Sequence, residues 1–85
     1  MNTLEIESCI KKAVELNNIY IIGDLNHIKI IAIGNIFIGM NNVQKQQIIY
    51  KPITKYIMKK KIHAISIYTF TLKEWEKKKG NFFVN

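Results

Sequence analysis

The chain carries two histidines, His27 and His63, and a single cysteine, Cys9. Neutral imidazole ligates iron, zinc and copper, and it carries protons near neutral pH. Two imidazoles fill only half of a tetrahedral metal site, so a metal held by them needs further ligands from another molecule. A histidine at a strand end is also an ordinary structural residue, and on the residues alone both roles stay open. Cys9 falls inside an amphipathic helical pattern, where a small buried hydrophobe is the simpler role. The carboxylates are sparse: Glu5, Glu7 and Glu15 early in the chain, Glu74 and Glu76 late, and Asp24 in a turn beside His27. The simplest work for Asp24 is turn chemistry. There is no Gly-x-Ser-x-Gly turn, no phosphate-cradling glycine loop and no nucleophile–base pair, so no enzymatic activity is expected.

The elements that must position these residues follow from periodicity. Thr3 to Leu16 reads as a helix capped by Thr3, with Leu4, Ile6, Cys9, Ile10, Ala13 and Val14 as its apolar stripe. Ile19 to Ile22 and His27 to Ile33 read as strands joined by the turn Gly23 to Asn26, a hairpin. Ile36 to Met40 reads as a loop that turns Phe37 into the core. Asn42 caps a helix from Val43 to about Tyr50, whose Tyr50 is also assigned to the core. Pro52 opens another helix, to about Lys59. Ile62 to Phe70 is a third strand, with His63 at its start. Thr71 and Glu74 form a capping box for a last helix ending in Lys77, Lys78 and Lys79 before Gly80. The expected class is α+β, in the order αββααβα, with one three-stranded sheet. Residues 1–80 form one domain and 81–85 a tail. The roughly 30 residues between the second and third strands permit a parallel crossover. If those strands are neighbours, His27 and His63 lie at one edge of the sheet.

At 85 residues the chain is one small domain. Hydrophobic residues make up 48% and charged residues 22%, which is a globular profile and excludes a disordered one. One cysteine excludes an internal disulfide scaffold and any cysteine-rich metal site built by this chain alone. A net charge of +7, all of it from lysine, could attract nucleic acid, an acidic surface or an acidic protein. Heavy use of Ile, Asn and Lys without Arg is equally what an AT-rich coding sequence produces. The absence of Arg argues against a base-reading protein. The longest mainly apolar stretch, Ile28 to Met40, contains Lys29, Asn35 and two glycines and falls short of a spanning helix. The opening residues, with two acids and no Lys before residue 8, are unlike a signal peptide. A cytoplasmic protein is expected, with the nucleus as a second compartment.

Five segments resemble the BolA family, in particular its short IbaG-like branch. They are Gly23-Asp24-Leu25-Asn26-His27-Ile28, Phe37-Ile38-Gly39-Met40, Val43 to Tyr50, Ile62-His63-Ala64-Ile65-Ser66-Ile67, and Tyr68 to Trp75. They occur in family order and cover about residues 4 to 79. The resemblance implies a class II KH-like fold, with a three-stranded mixed sheet in which the second and third strands run parallel. It also implies a role in iron–sulfur cluster assembly and iron homeostasis. Family members pair with monothiol glutaredoxins and share a [2Fe-2S] cluster with them and with glutathione, so no cofactor is expected in the isolated chain.

Carried over by position, His63 matches the histidine of the family's His-Ala block, the expected cluster ligand. His27 opens the second strand and is the candidate second ligand. Other branches place that ligand in a longer loop between the first two strands, which this sequence lacks, so Asp24, another protein or solvent remain open there. Replacing thiolate by imidazole raises a cluster's potential and adds a protonatable ligand, favouring transfer. Trp75 and the lysines after it form either a docking rim or, for Trp75, a packing contact. The alternative function is a nucleic-acid-binding regulator on the KH-like fold. Lys45, Lys51, Lys55 and Lys59 to Lys61 would supply weak, salt-sensitive phosphate contact, but the Gly-x-x-Gly clamp of KH modules is missing. An adaptor without ligation is a third reading, and a homodimer is open.

Overall fold

From Ile28 to Ile33 only Lys29 interrupts a run of apolar residues. In the computed structural model, which describes residues 3–83, this run is the middle strand of a three-stranded sheet. A strand buried on both faces has no reason to alternate apolar and polar residues. The elements are α1 (Thr3–Ala13), β1 (Asn18–Asp24), β2 (His27–Ile33), a 3-10 turn (Asn35–Phe37), α2 (Asn42–Tyr50), a second 3-10 turn (Lys51–Ile53), α3 (Thr54–Met58), β3 (Ile65–Phe70) and α4 (Leu72–Phe83). The α+β class and the αββααβα order are as expected. β1 pairs antiparallel with β2, and β2 pairs parallel with β3, from Ile28 opposite Ile65 to Ile33 opposite Phe70.

The sheet sorts its residues by face. Ile28, Ile30 and Ala32 point into the larger core with Ile6, Ile10, Phe37, Ile49 and Ile53, so that α1 and the α2–α3 segment cover one side. Ile31 and Ile33 face the other way and meet Trp75 of α4. Trp75 is 7% exposed, and its ring centroid lies 5.7 Å from that of Tyr20 and 5.4 Å from that of Phe70. It is therefore a packing residue and not part of a rim. Phe37 is 1% exposed, as expected of the loop that carries it. Its burial contributes about 1.5–3 kcal/mol.

Several local expectations are corrected. α1 ends at Ala13, and Thr3 is its first helical residue, so the cap position falls on residue 2, outside the described residues. Leu4 and Ala13 are exposed, which narrows the stripe to buried Ile6, Ile10 and Val14 at spacings of four, with half-buried Cys9 packed beside them. The cap of α2 is Asn41, one residue before the expected Asn42. Its Oδ1 accepts from the Gln44 N–H at 2.8 Å, and Gln44 Oε1 accepts from the Asn41 N–H at 3.0 Å. Tyr50 is 41% exposed and is not a core residue. It faces out beside Thr54, whose hydroxyl donates to the Tyr50 carbonyl at 3.1 Å. Pro52 lies in the 3-10 turn, and α3 starts only at Thr54. β3 starts at Ile65, not Ile62, so His63 precedes the strand. α4 runs past Gly80 to Phe83, and residues 84 and 85 of the expected tail lie outside the described residues.

Two helix ends generate predictions. After α3, Lys60 has a φ of 58°, with its N–H donating to Ile57 at 3.0 Å and the Lys61 N–H donating to Tyr56 at 2.9 Å. This paired pattern is the C-terminal cap that glycine usually serves, because a side chain there is strained. Lys60→Gly should raise stability by about 0.5–1 kcal/mol in urea melts; an unchanged or lower midpoint contradicts it.

The expected box at α4 is present: the Thr71 N–H donates to Glu74 Oε1 at 2.8 Å and the Glu74 N–H donates to Thr71 Oγ1 at 3.2 Å. The Thr71 N–H holds the Glu74 carboxyl below its ordinary range, and the Lys45 charge acts the same way. A depressed folded-state pKa gives stability that is present above the unfolded-state value and lost as pH falls through the folded-state value. The stability difference between wild type and Glu74→Gln, small at this exposed site, should therefore be largest near neutrality and fade through the acid carboxylate range. A difference independent of pH would contradict this.

Candidate functional site

The β1–β2 hairpin closes with Asp24 opposite His27, leaving Leu25 and Asn26 as a two-residue turn. Neither turn residue has a positive φ; Gly23 has, at 94°. Turns with both residues at negative φ match the strands' twist less well than the primed types, and the φ of Gly23 lies in the left-handed region that favours glycine. Glycine is required there for a second reason, since a Cβ on Gly23 would collide with the His27 carbonyl oxygen. Asp24 Oδ1 accepts from the Asn26 N–H at 2.9 Å and the His27 N–H at 3.4 Å, so its role is turn chemistry. The Gly-Asp-x-x-His sequence is thus one device that fixes the backbone at His27.

The loop before β3 is tied to this device. The His63 N–H donates to the Leu25 carbonyl at 3.0 Å, and the Ile28 N–H donates to the Ala64 carbonyl at 3.0 Å. His63 was expected to open a strand, but Ile62 is drawn into the main core, and residues 62–64 precede the strand, bonded to the hairpin through these two contacts. The topological expectation holds in its essential part: both histidines lie at the same edge of the sheet, where backbone hydrogen bonds tie His63 to Leu25 and Ile28 to Ala64. Both are exposed.

The two imidazoles differ in their surroundings. His27 Nε2 lies 3.0 Å from the Ser66 Oγ, across the parallel pair. For His63 no side-chain hydrogen bond occurs among the described residues. No group of three or more His, Cys, Asp or Glu that could hold a metal ion occurs among the described residues either. His27 and His63 are thus two imidazoles at one end of the sheet with no third His, Cys, Asp or Glu grouped with them among the described residues. Cys9 is occupied elsewhere. Its Sγ lies 3.4 Å from the Tyr56 Oη, and this hydrogen bond, with burial, pushes the Tyr56 phenol above its ordinary value.

Ser66 is the site residue that the sequence reading did not single out. A hydroxyl between Ile65 and Ile67 in an apolar strand was the available signal, but its partner depends on the β2–β3 register. The lysines expected to touch phosphate lie mainly on the α2–α3 flank, with Lys51, Lys55 and Lys59 to Lys61 exposed. Lys55 Nζ sits 5.1 Å from the Tyr56 ring centroid. Tyr50 and Lys51 help to line an open depression of about 370 Å³ on this flank, away from the hairpin turn.

The model of BolA-like proteins matches residues 4–74 of the chain. An uncharacterized protein of Buchnera aphidicola from Acyrthosiphon pisum is 51% identical over 79 residues, covering 93% of this chain and 99% of that protein. The acid stress protein IbaG of Escherichia coli K12 is 41% identical over 75 residues, covering 88% of this chain and 89% of that protein. Among solved structures, BolA1 from Arabidopsis thaliana superimposes with a TM-score of 0.72 at 22% identity, over 84% of this chain and 92% of that one. BolA1 from Mus musculus gives 0.76 at 15% identity, over 89% and 69%. At these identities the superpositions speak for the fold.

Gly23→Ala should cost at least about 1 kcal/mol in urea melts, because the native backbone there is closed to a side chain. The amide resonances of Leu25, His27 and His63 should shift together. A neutral substitution with unmoved resonances would contradict this account of the hairpin.

Proposed function

The chain belongs to the BolA family, and on that premise we propose that it is a partner of a monothiol glutaredoxin in iron–sulfur cluster assembly and iron homeostasis. In this reading His63 and His27 hold a [2Fe-2S] cluster jointly with the glutaredoxin cysteine and a bound glutathione. The observation that carries it is the pair of exposed imidazoles tied to one sheet edge by the bonds from His63 to Leu25 and from Ile28 to Ala64. When bound, the cluster supplies an iron centre whose potential imidazole ligation raises relative to all-thiolate ligation.

The chain's own residues do three things. The Gly23–Asp24 turn fixes where His27 starts from the sheet. The segment 62–64 holds His63 beside that turn without burying it. Two ligands from one side leave the other side to the partner, so the chain completes a site that it cannot make alone. Imidazole ligates only when deprotonated, so acid favours release. A relative named for acid stress is in keeping with such a ligand set. No helix among the described residues is long and apolar enough to cross a membrane, and the matched curated relatives are bacterial; the cytoplasm is the compartment of this reading.

The test mixes the chain anaerobically with a monothiol glutaredoxin, iron, sulfide and glutathione and records visible circular dichroism. Wild type should give a spectrum distinct from that of the glutaredoxin alone. His63→Ala should abolish it or shorten its lifetime by on the order of tenfold or more, and His27→Ala should weaken it. An unchanged spectrum and lifetime in His63→Ala would sink the ligand assignment. Co-elution without any new spectrum would make the chain an adaptor.

A further inference from the structure

His27 and Ser66 are 39 positions apart, yet His27 Nε2 and Ser66 Oγ are 3.0 Å from each other. The contact is a product of register. Lys29 lies opposite Ser66 and Ile31 opposite Tyr68 in the parallel pair, so the odd residues of β2 and the even residues of β3 share one sheet face. Lys29 Nζ, 5.9 Å from the centroid of the Tyr68 ring, confirms that sharing. The neighbours of Ser66, Ile65 and Ile67, pack against the main core on the opposite face. Ser66 itself is half-buried, and His27 provides its hydroxyl with a partner at the end of the sheet.

A neutral imidazole carries one proton. Which ring nitrogen ligates a metal is set by the hydrogen bond that the other nitrogen makes. If Ser66 donated to Nε2, the proton would sit on Nδ1, and neither nitrogen would have a free lone pair. If Ser66 accepts from Nε2–H, the Nδ1 lone pair is free while the ring stays anchored. Only the second arrangement keeps the observed contact and leaves a ligand. We propose that Ser66 is the positioning residue for His27: it accepts the Nε2 proton, orders the ring on the sheet face and selects Nδ1 as the ligating atom. This rests on the reading of His27 as a ligand. It adds a side chain and a specific ring nitrogen, neither of which is itself implied by the sequence motif.

The test has two arms. In the first, long-range ¹H–¹⁵N spectra of the isolated chain are recorded with both imidazoles neutral, for wild type, Ser66→Ala and Ser66→Thr. His27 in wild type should carry its proton on Nε2. Ser66→Ala should move its nitrogen shifts toward the averaged values of a free imidazole, and Ser66→Thr, which keeps a hydroxyl, should restore them. Backbone ¹H–¹⁵N spectra confirm that each variant is folded. A wild-type proton on Nδ1, or His27 shifts that ignore Ser66→Ala, overturns the positioning role whatever the cluster does. In the second arm the three proteins are mixed with glutaredoxin, glutathione, iron and sulfide as above. Ser66→Ala should shorten the lifetime of the mixed spectrum by about tenfold, and Ser66→Thr should recover most of it. If His27→Ala leaves that lifetime intact while the first arm succeeds, the ligand reading of His27 fails and Nδ1 selection falls with it. If His27→Ala matters and Ser66→Ala does not, the ligand reading stands and the Ser66 proposal alone is overturned.

Discussion

Strand β2 is bonded on both sides and buried on both faces, and the rest of the molecule is arranged around its pairing with β3. A parallel pair cannot be closed by a tight turn, so the chain must leave the end of β2, cross the sheet through α2 and α3, and return to the end where β2 began. That return brings residues 62–64, and with them His63, into hydrogen-bonding contact with the hairpin. Shifting β3 by one residue would turn Ile65 and Ile67 out of the main core and Ser66 into it. The apolar cost of the slip is large, so burial on one face holds the polar arrangement on the other. The site depends on the core by way of register, not through direct contact.

The hairpin contributes the second half of the constraint. Its turn is unusual in placing the left-handed residue before the turn, at Gly23, instead of within it. Asp24 then spends its carboxylate on the turn's own N–H groups. The result is a stiff corner with an imidazole at its exit. On the far face of the sheet, the Tyr20–Trp75–Phe70 cluster lets α4 cover the end distant from this corner. Side chains at the hairpin end, including Ile22, Lys29 and Tyr68, share the strands of that cluster but stay open or half-open. Both imidazoles at this end are exposed.

Much of this was legible in the residues. The interrupted apolar run of β2, the Thr71–Glu74 box and Phe37 each declare their structure through local physics, and the αββααβα order was legible with them; Pro52 marked the end of α2 but not the start of α3, which begins at Thr54. The misplacements also have local causes. Asn41 and Asn42 are equally good caps, and only the reach of Gln44 decides between them. Tyr50 sits next to buried Ile49 on a helix whose apolar pattern is weak. Ile62 looks like the start of a strand because it is β-branched and buried, but it is buried by dropping out of the ladder. Helix α4 continues through Gly80 although glycine commonly ends a helix.

By itself the sequence determined which groups were available: two imidazoles, a thiol set in an apolar helical stripe, few acids and no arginine. It also determined the order and type of the elements that carry them, though not all of their ends, because capping, turn formation and apolar periodicity act over a few residues. Tertiary structure alone decided which groups meet. The His27–Ser66 contact, the tie between His63 and Leu25, and the pairing of Cys9 with Tyr56 each join distant positions. Such contacts depend on how the strands and helices pack, and a change of register by one residue would undo the one on which the ring of His27 depends.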